Sequence, residues 1–173
     1  SDGEEIHAEM KFLAKDIKTA AQGKARVTMA HELSSRLERC TAPKYHAVIK
    51  RLLSDDVSRT GSSFMEHWGK NTEGAEAQDR VVYERLHALV MAAGGGQNVS
   101  ALPELRKMRR KGGDAGKLAE KAIGQIGSAE DLEEIILELK KNPRSRAGVS
   151  TFGSRGLRRL VDELKNPNVT KAE

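Results

Sequence analysis

The stretch Ser128-Ala-Glu-Asp-Leu-Glu-Glu-Ile-Ile-Leu-Glu-Leu-Lys-Lys141 decides the fold class of this chain. Its apolar residues follow the spacing of one face of an α-helix: Leu132, Ile135, Ile136 and Leu139. Ser128 stands before acidic residues, as is typical of a helix N-terminus. Lys140 and Lys141 suit the negative end of the helix dipole. The stretch therefore predicts a well-capped amphipathic helix.

The same periodicity recurs along most of the 173 residues. No alternation of apolar and polar residues persists long enough to predict a strand. Glycine and proline divide the helical pattern into about nine segments. The predicted helices cover about residues 4–21, 27–40, 45–53, 64–68, 76–92, 102–111, 118–126, 128–141 and 154–165. We therefore predict an all-α protein whose helices pack as hairpins, in a bundle or a short α-solenoid.

Glycine-rich stretches suggest where the chain divides. Gly94-Gly-Gly96 is the best candidate hinge, because glycine has the widest backbone freedom. It separates a helical N-terminal half, residues 1–93, from a helical C-terminal half, residues 97–173. We expect one continuous domain with a hinge at 94–96. The glycine-rich stretch from Lys111 to Lys117 lacks the spacing of a phosphate-binding loop and predicts a second flexible joint.

In the last predicted helix, apolar residues again follow helical spacing: Leu157, Leu160, Val161 and Leu164. Since stacked helices bury their apolar faces against their neighbours, we expect this face to be buried.

The positive charge is concentrated in the second half of the chain. Residues 1–100 contain 14 Lys and Arg and 14 Asp and Glu, whereas residues 101–173 contain 16 and 11. Clustered cations can contact phosphate groups and gain from the release of counterions. The candidate nucleic-acid-binding residues are Arg106, Lys107, Arg109, Arg110, Lys111, Lys140, Lys141, Arg144, Arg146, Arg155, Arg158 and Arg159.

The sequence gives no sign of catalysis. Cys40 is the only cysteine, so an internal disulfide is excluded. His31-Glu32 begins like a zinc-binding helix, but Ser35 stands where the second histidine is required. We expect no enzyme activity, no metal and no cofactor. The longest nearly apolar stretch, residues 88–96, is too short to cross a membrane. No secretory segment is evident, so we expect an intracellular protein in an unassigned compartment.

Part of the chain matches another part at a shift of 92 residues. The matched positions are Val57-Ser58, Gly61-Ser62, Met65 and Trp68 against Val149-Ser150, Gly153-Ser154, Leu157 and Leu160. Such a match is consistent with stacked helical hairpins, although chance explains it equally well.

Two family resemblances rest on the C-terminal helices. Residues 128–164 resemble a unit of the helical-repeat, armadillo-type RNA-binding proteins of organelles, the octotricopeptide and FAST-kinase type. Residues 148–170, which contain Thr151-Phe-Gly-Ser-Arg-Gly-Leu-Arg-Arg-Leu160, resemble part of the TFIIS N-terminal (LW) domain, with Phe152 in place of the usual Ile. The first resemblance implies RNA binding, and the second implies a helical protein-docking bundle.

Two functional hypotheses follow. The first is a non-catalytic helical module that binds RNA through its basic C-terminal surface, within a larger ribonucleoprotein assembly. The second is a protein-docking scaffold that recognises an acidic or amphipathic peptide. We expect other protein subunits as partners and no membrane. RNA, DNA and an acidic peptide all stay open as the partner of the basic residues.

Overall fold

The computed structural model describes residues 24–59, 77–142 and 148–166. Within these ranges it has seven α-helices and no strand, which confirms the all-α prediction. The helices are α1 (Lys24–Glu38), α2 (His46–Arg59), α3 (Ala77–Gly95), α4 (Leu102–Lys111), α5 (Gly113–Ile126), α6 (Ala129–Lys141) and α7 (Gly153–Leu164). Short 3-10 turns at Pro43–Tyr45, Val99–Ala101 and Val149–Phe152 lead into α2, α4 and α7. The helices predicted near 4–21 and 64–68, and much of the internal match, lie outside the described residues.

Local sequence signals set where several helices begin. The Ser128 hydroxyl accepts a hydrogen bond from the Asp131 backbone N–H at 3.3 Å, which confirms the predicted cap of α6. Proline stands in the first turn of α4, where a missing N–H costs nothing. Pro43 begins the 3-10 turn that leads into α2.

The buried core is centred on α3, which contacts α1, α2 and α5. The side chains of this core come from the predicted apolar faces of helices before and after Gly94–Gly96. The largest fully buried side chains are Leu37, Val48, Ile49, Leu53, Leu86, Leu89, Val90, Leu105, Met108, Ile123 and Ile135. In the part of the chain that the structure describes, no helix combines the length and apolar character that a membrane span needs.

The predicted hinge lies at the end of α3. Gly94 and Gly95 form its last turn, and the Gly96 N–H donates to the Ala92 carbonyl at 2.9 Å. The next residues are tied to the start of α2, because the Asn98 amide donates to the His46 carbonyl at 3.0 Å. One imidazole nitrogen of His46 also lies 3.0 Å from the Gly96 carbonyl oxygen. The division of the chain at 94–96 stays a prediction.

The second predicted joint, from Lys111 to Lys117, is wrong. Helix α5 begins at Gly113, so Gly112 alone separates it from α4. Gly112 has φ 77° and ψ −160°, a backbone region essentially restricted to glycine. The remaining glycine, Gly116, is buried where α5 packs on α4: a Cβ there would lie 3.2 Å from the Arg109 carbonyl oxygen. The small residues therefore serve a tight turn and close helix packing.

Close packing also fixes the turn that leads into α7. Helix α5 contacts the 3-10 turn Val149–Phe152, in which Val149 and Phe152 are buried. A Cβ on Gly124 would lie 2.5 Å from Thr151 Cβ, so only glycine allows this approach. Helix α7 packs on the same turn. The end of α5 thereby positions the last helix.

Candidate functional site

The structure separates the candidate basic residues into distinct groups. Arg106, Lys107, Arg109, Lys140 and Arg159 form ion pairs with carboxylates, and Arg155 donates a hydrogen bond to the Gly127 carbonyl. Arg110, Lys111, Lys141 and Arg158 are exposed, with no polar partner among the described residues. Arg144 and Arg146 lie outside the described residues.

Arg109 joins three helices. Its Nε lies 3.1 Å from Glu120 Oε2 of α5, and its Nη2 lies 2.6 Å from Glu138 Oε2 of α6. The Glu134 carboxylate lies farther from the guanidinium, at 3.9 Å. The Arg109 side chain is only 12% exposed. Because its donors face inward onto carboxylates, the guanidinium serves the packing of α4 against α5 and α6.

Arg106 makes a second contact between α4 and α6. Its Nε and Nη2 donate to the two carboxylate oxygens of Asp131, at 2.9 and 2.8 Å. The Asp131 side chain is 4% exposed. Burial raises the pKa of this carboxyl, but the hydrogen bonds from Arg106 and Ser128 together with the charge of Arg106 outweigh it and hold the pKa below its ordinary 3.8. Asp131 therefore stays ionised and paired at neutral pH.

A third set of ion pairs attaches α7 to α6. Arg159 Nε and Nη2 lie 2.6 and 2.9 Å from the Glu133 oxygens, and its Nη1 lies 2.6 Å from Glu163 Oε2. Lys140 of α6 contacts the other oxygen of the buried Glu163. The hydrogen bond from Arg159 is the main cause that lowers the pKa of Glu133. We call these contacts, with those of Arg106 and Arg109, the ion-pair network.

The ion pairs advance in the same sense along α4, α6 and α7. Going along α4 from Arg106 to Arg109, the α6 partners advance from Asp131 to Glu138. The contacts between α6 and α7 advance likewise, from Glu133 with Arg159 to Lys140 with Glu163. The last residues of α4 and α6, and the residue after α7, include exposed cations without a carboxylate partner in the described part of the chain. We call these cations, Arg110, Lys111, Lys141 and Lys165, the basic end.

Helix α7 leaves most of its apolar face uncovered, which corrects the expectation that this face is buried. Leu157 is 64% exposed, Val161 41% and Leu164 68%. Only Leu160 of the predicted face packs against the core. The physical reason is that α7 turns Gly156, Leu160 and Glu163 inward, toward the 3-10 turn and α6. We call Leu157, Val161 and Leu164 the outer face of α7.

Two cations border the outer face on its solvent side. At about 100° per residue, Arg158 and Lys165 lie some 40–60° beyond Val161 around the helix. Both are exposed, and neither has a carboxylate partner within the described ranges. Asp162 lies farther round on the same flank. This flank is therefore basic where it meets the apolar residues.

The remaining candidates for chemistry have ordinary surroundings. Burial raises the pKa of the Cys40 thiol, and its Sγ donates weakly to the Arg36 carbonyl at 3.4 Å. A protonated thiol is a poor nucleophile. Among the described residues, no cluster of His, Cys, Asp and Glu could hold a metal ion.

Comparison of the chain with models of protein families, with curated proteins and with solved structures found no match.

We predict that replacing Arg109 by Met lowers the free energy of unfolding by about 1–3 kcal/mol, because the mostly buried Glu120 and the half-exposed Glu138 lose their partner. The matched change Arg110→Met removes an exposed cation one residue away and should cost less than about 0.5 kcal/mol. Urea unfolding followed by circular dichroism measures both. Equal effects of the two changes would show that Arg109 does not hold the helices together.

Proposed function

We propose that this chain is a non-catalytic helical docking module whose outer face of α7 receives a helix from another protein. The observation that carries the proposal is the exposure of Leu157, Val161 and Leu164 on one side of a single helix. Their spacing of four and three residues gives an apolar stripe about two turns long, which is the kind of surface that packs against a second amphipathic helix.

The stripe belongs to a helix that is already held in place. Arg159 and Glu163 attach α7 to α6, and Leu160 packs against the core. A partner would therefore meet a preformed surface and would not have to order it, which reduces the cost of binding. Burying a leucine side chain stabilises a complex by about 1.5–3 kcal/mol.

The exposed face itself supports the same conclusion, because an uncovered apolar face promotes association with a partner. Four of the basic residues that would favour a polyanion are already committed to the ion-pair network: Arg106, Arg109, Lys140 and Arg159.

We predict that the variant Leu157→Ser with Leu164→Ser binds an amphipathic helical peptide at least about tenfold more weakly than the unchanged chain. The reason is that the complex loses two leucine side chains that the peptide would bury. The probe is an 18-residue peptide with one leucine stripe and glutamine at its flanking positions, titrated by fluorescence anisotropy.

The control is Val99→Ser, which removes an exposed apolar side chain before α4 and should leave the affinity unchanged. Circular dichroism of each variant checks that the helices are retained. A peptide that does not bind the unchanged chain, or that binds both variants equally well, would contradict the proposal.

RNA binding stays a second candidate function, carried by fewer residues than the sequence predicted. It is favoured by the basic end, where Arg110, Lys111 and Lys141 are exposed and lack carboxylate partners in the described part of the chain. Phosphate contacts need such unpaired cations, whereas a paired guanidinium would first have to give up its carboxylate. Lys111 and Lys141 also complement the negative C-terminal ends of the dipoles of α4 and α6, so they have a structural role whether or not RNA binds.

If the basic end binds RNA, the change Arg110→Glu with Lys111→Glu should weaken binding of a single-stranded RNA oligonucleotide. It should also reduce the slope of log K against log salt concentration by about 1.4, for two lost phosphate contacts. The control Lys50→Glu with Arg51→Glu alters net charge equally on α2, whose two cations are exposed. Equal losses in both variants would show general attraction without a site, and unchanged binding would remove this candidate.

A further inference from the structure

We infer that the partner helix carries acidic side chains along one flank of its apolar stripe, so that they meet Arg158 and Lys165. This inference rests on the proposed docking function and names the chemistry of the partner. It follows from the contrast between the two sides of α7.

On its inner side, α7 has matched charges. Arg159 lies within 2.6 Å of both Glu133 and Glu163, and Lys140 also contacts Glu163. On its outer side, Arg158 and Lys165 have no such partner among the described residues, although both stand beside the apolar stripe. Asp162, one turn from Arg158, forms no ion pair with it. Within the described residues, α7 thus pairs Arg159 where it packs on α6 and leaves Arg158 and Lys165 without a carboxylate partner beside the uncovered stripe.

The spacing of Arg158 and Lys165 along α7 suits a partner helix that lies along the outer face. Arg158 and Lys165 are seven residues apart, so they stand on one row about 10 Å long. Glutamates spaced seven residues apart on a partner helix would face them while its leucines cover Leu157, Val161 and Leu164. Interfacial charges of this kind select the partner and its register more than they add affinity.

A second copy of this chain fits the face less well. If two α7 helices packed antiparallel about a twofold axis, the same flank of each would meet, which would place Arg158 and Lys165 beside their counterparts. Like charges across an interface oppose association. An acidic flank on a different protein removes this conflict, which is why we choose it as the occupant.

The test uses three helical peptides with one leucine stripe and with glutamate, glutamine or lysine at the flanking positions. Each is titrated against the full chain in 50 and 300 mM NaCl. We expect the glutamate peptide to bind at least tenfold more tightly than the lysine peptide at low salt, and the difference to shrink at high salt. The variant Arg158→Glu with Lys165→Glu should reverse the preference.

The matched control Lys117→Glu with Lys121→Glu changes net charge equally at exposed positions of α5 and should keep the preference of the unchanged chain. Equal binding of all three peptides, with loss on Leu157→Ser, would overturn the acidic partner and leave the docking function standing. Binding of none would overturn both. A concentration-dependent dimer in sedimentation that Leu157→Ser disperses would assign the face to a second copy.

Discussion

The contact of Arg109 with Glu120 and Glu138 is the interaction on which the C-terminal part of the structure depends. One guanidinium reaches carboxylates on two neighbouring helices and so fixes α4, α5 and α6 together. Once α6 is fixed, its outward side offers Glu133 and Lys140 to α7. Those contacts, together with the packing of α7 and α5 on the turn Val149–Phe152, orient α7 and leave its apolar stripe exposed. The position of the proposed docking surface is therefore set in part by charge pairing on the neighbouring helix α6.

Arginine and lysine side chains have different roles in the structure. Arg106 and Arg109 use planar, forked donors to satisfy carboxylates in places that water reaches poorly, where unpaired charges would be expensive. Most exposed cations at the helix ends are lysines, which keep their charge in solvent. Arg39, Arg51, Arg110 and Arg158 are exposed arginines whose side chains have no partner in the described ranges. Such a division leaves only some of the candidate basic residues free for a partner, among them Arg110, Lys111 and Lys141.

Local patterns were enough to predict the helices and most of the core. The spacing of Leu132, Ile135 and Ile136 predicted their burial, and Ser128 predicted the start of α6. The pairing of Arg106 with Asp131 was not predicted, because the partners are 25 residues apart in sequence. A usable signal existed: Asp131, Glu134 and Glu138 stand at steps of three and four and so form an acidic row on one side of α6, which can receive arginines from a neighbouring helix. The uncovered face of α7 could not be predicted, since spacing shows that a face is apolar and not what covers it.

A double-mutant cycle on Arg106 and Asp131 tests most directly whether the arginines serve the fold. The free energy of unfolding is measured at pH 7 for the unchanged chain, Arg106→Met, Asp131→Asn and the double variant. We expect a coupling energy of about 1–2 kcal/mol, since the contact is bidentate and Asp131 is buried. We also expect it to persist in 0.5 M NaCl, because salt screens buried pairs weakly. A coupling near zero, or one abolished by salt, would contradict this account, because it would show that the arginine does not hold the helices together.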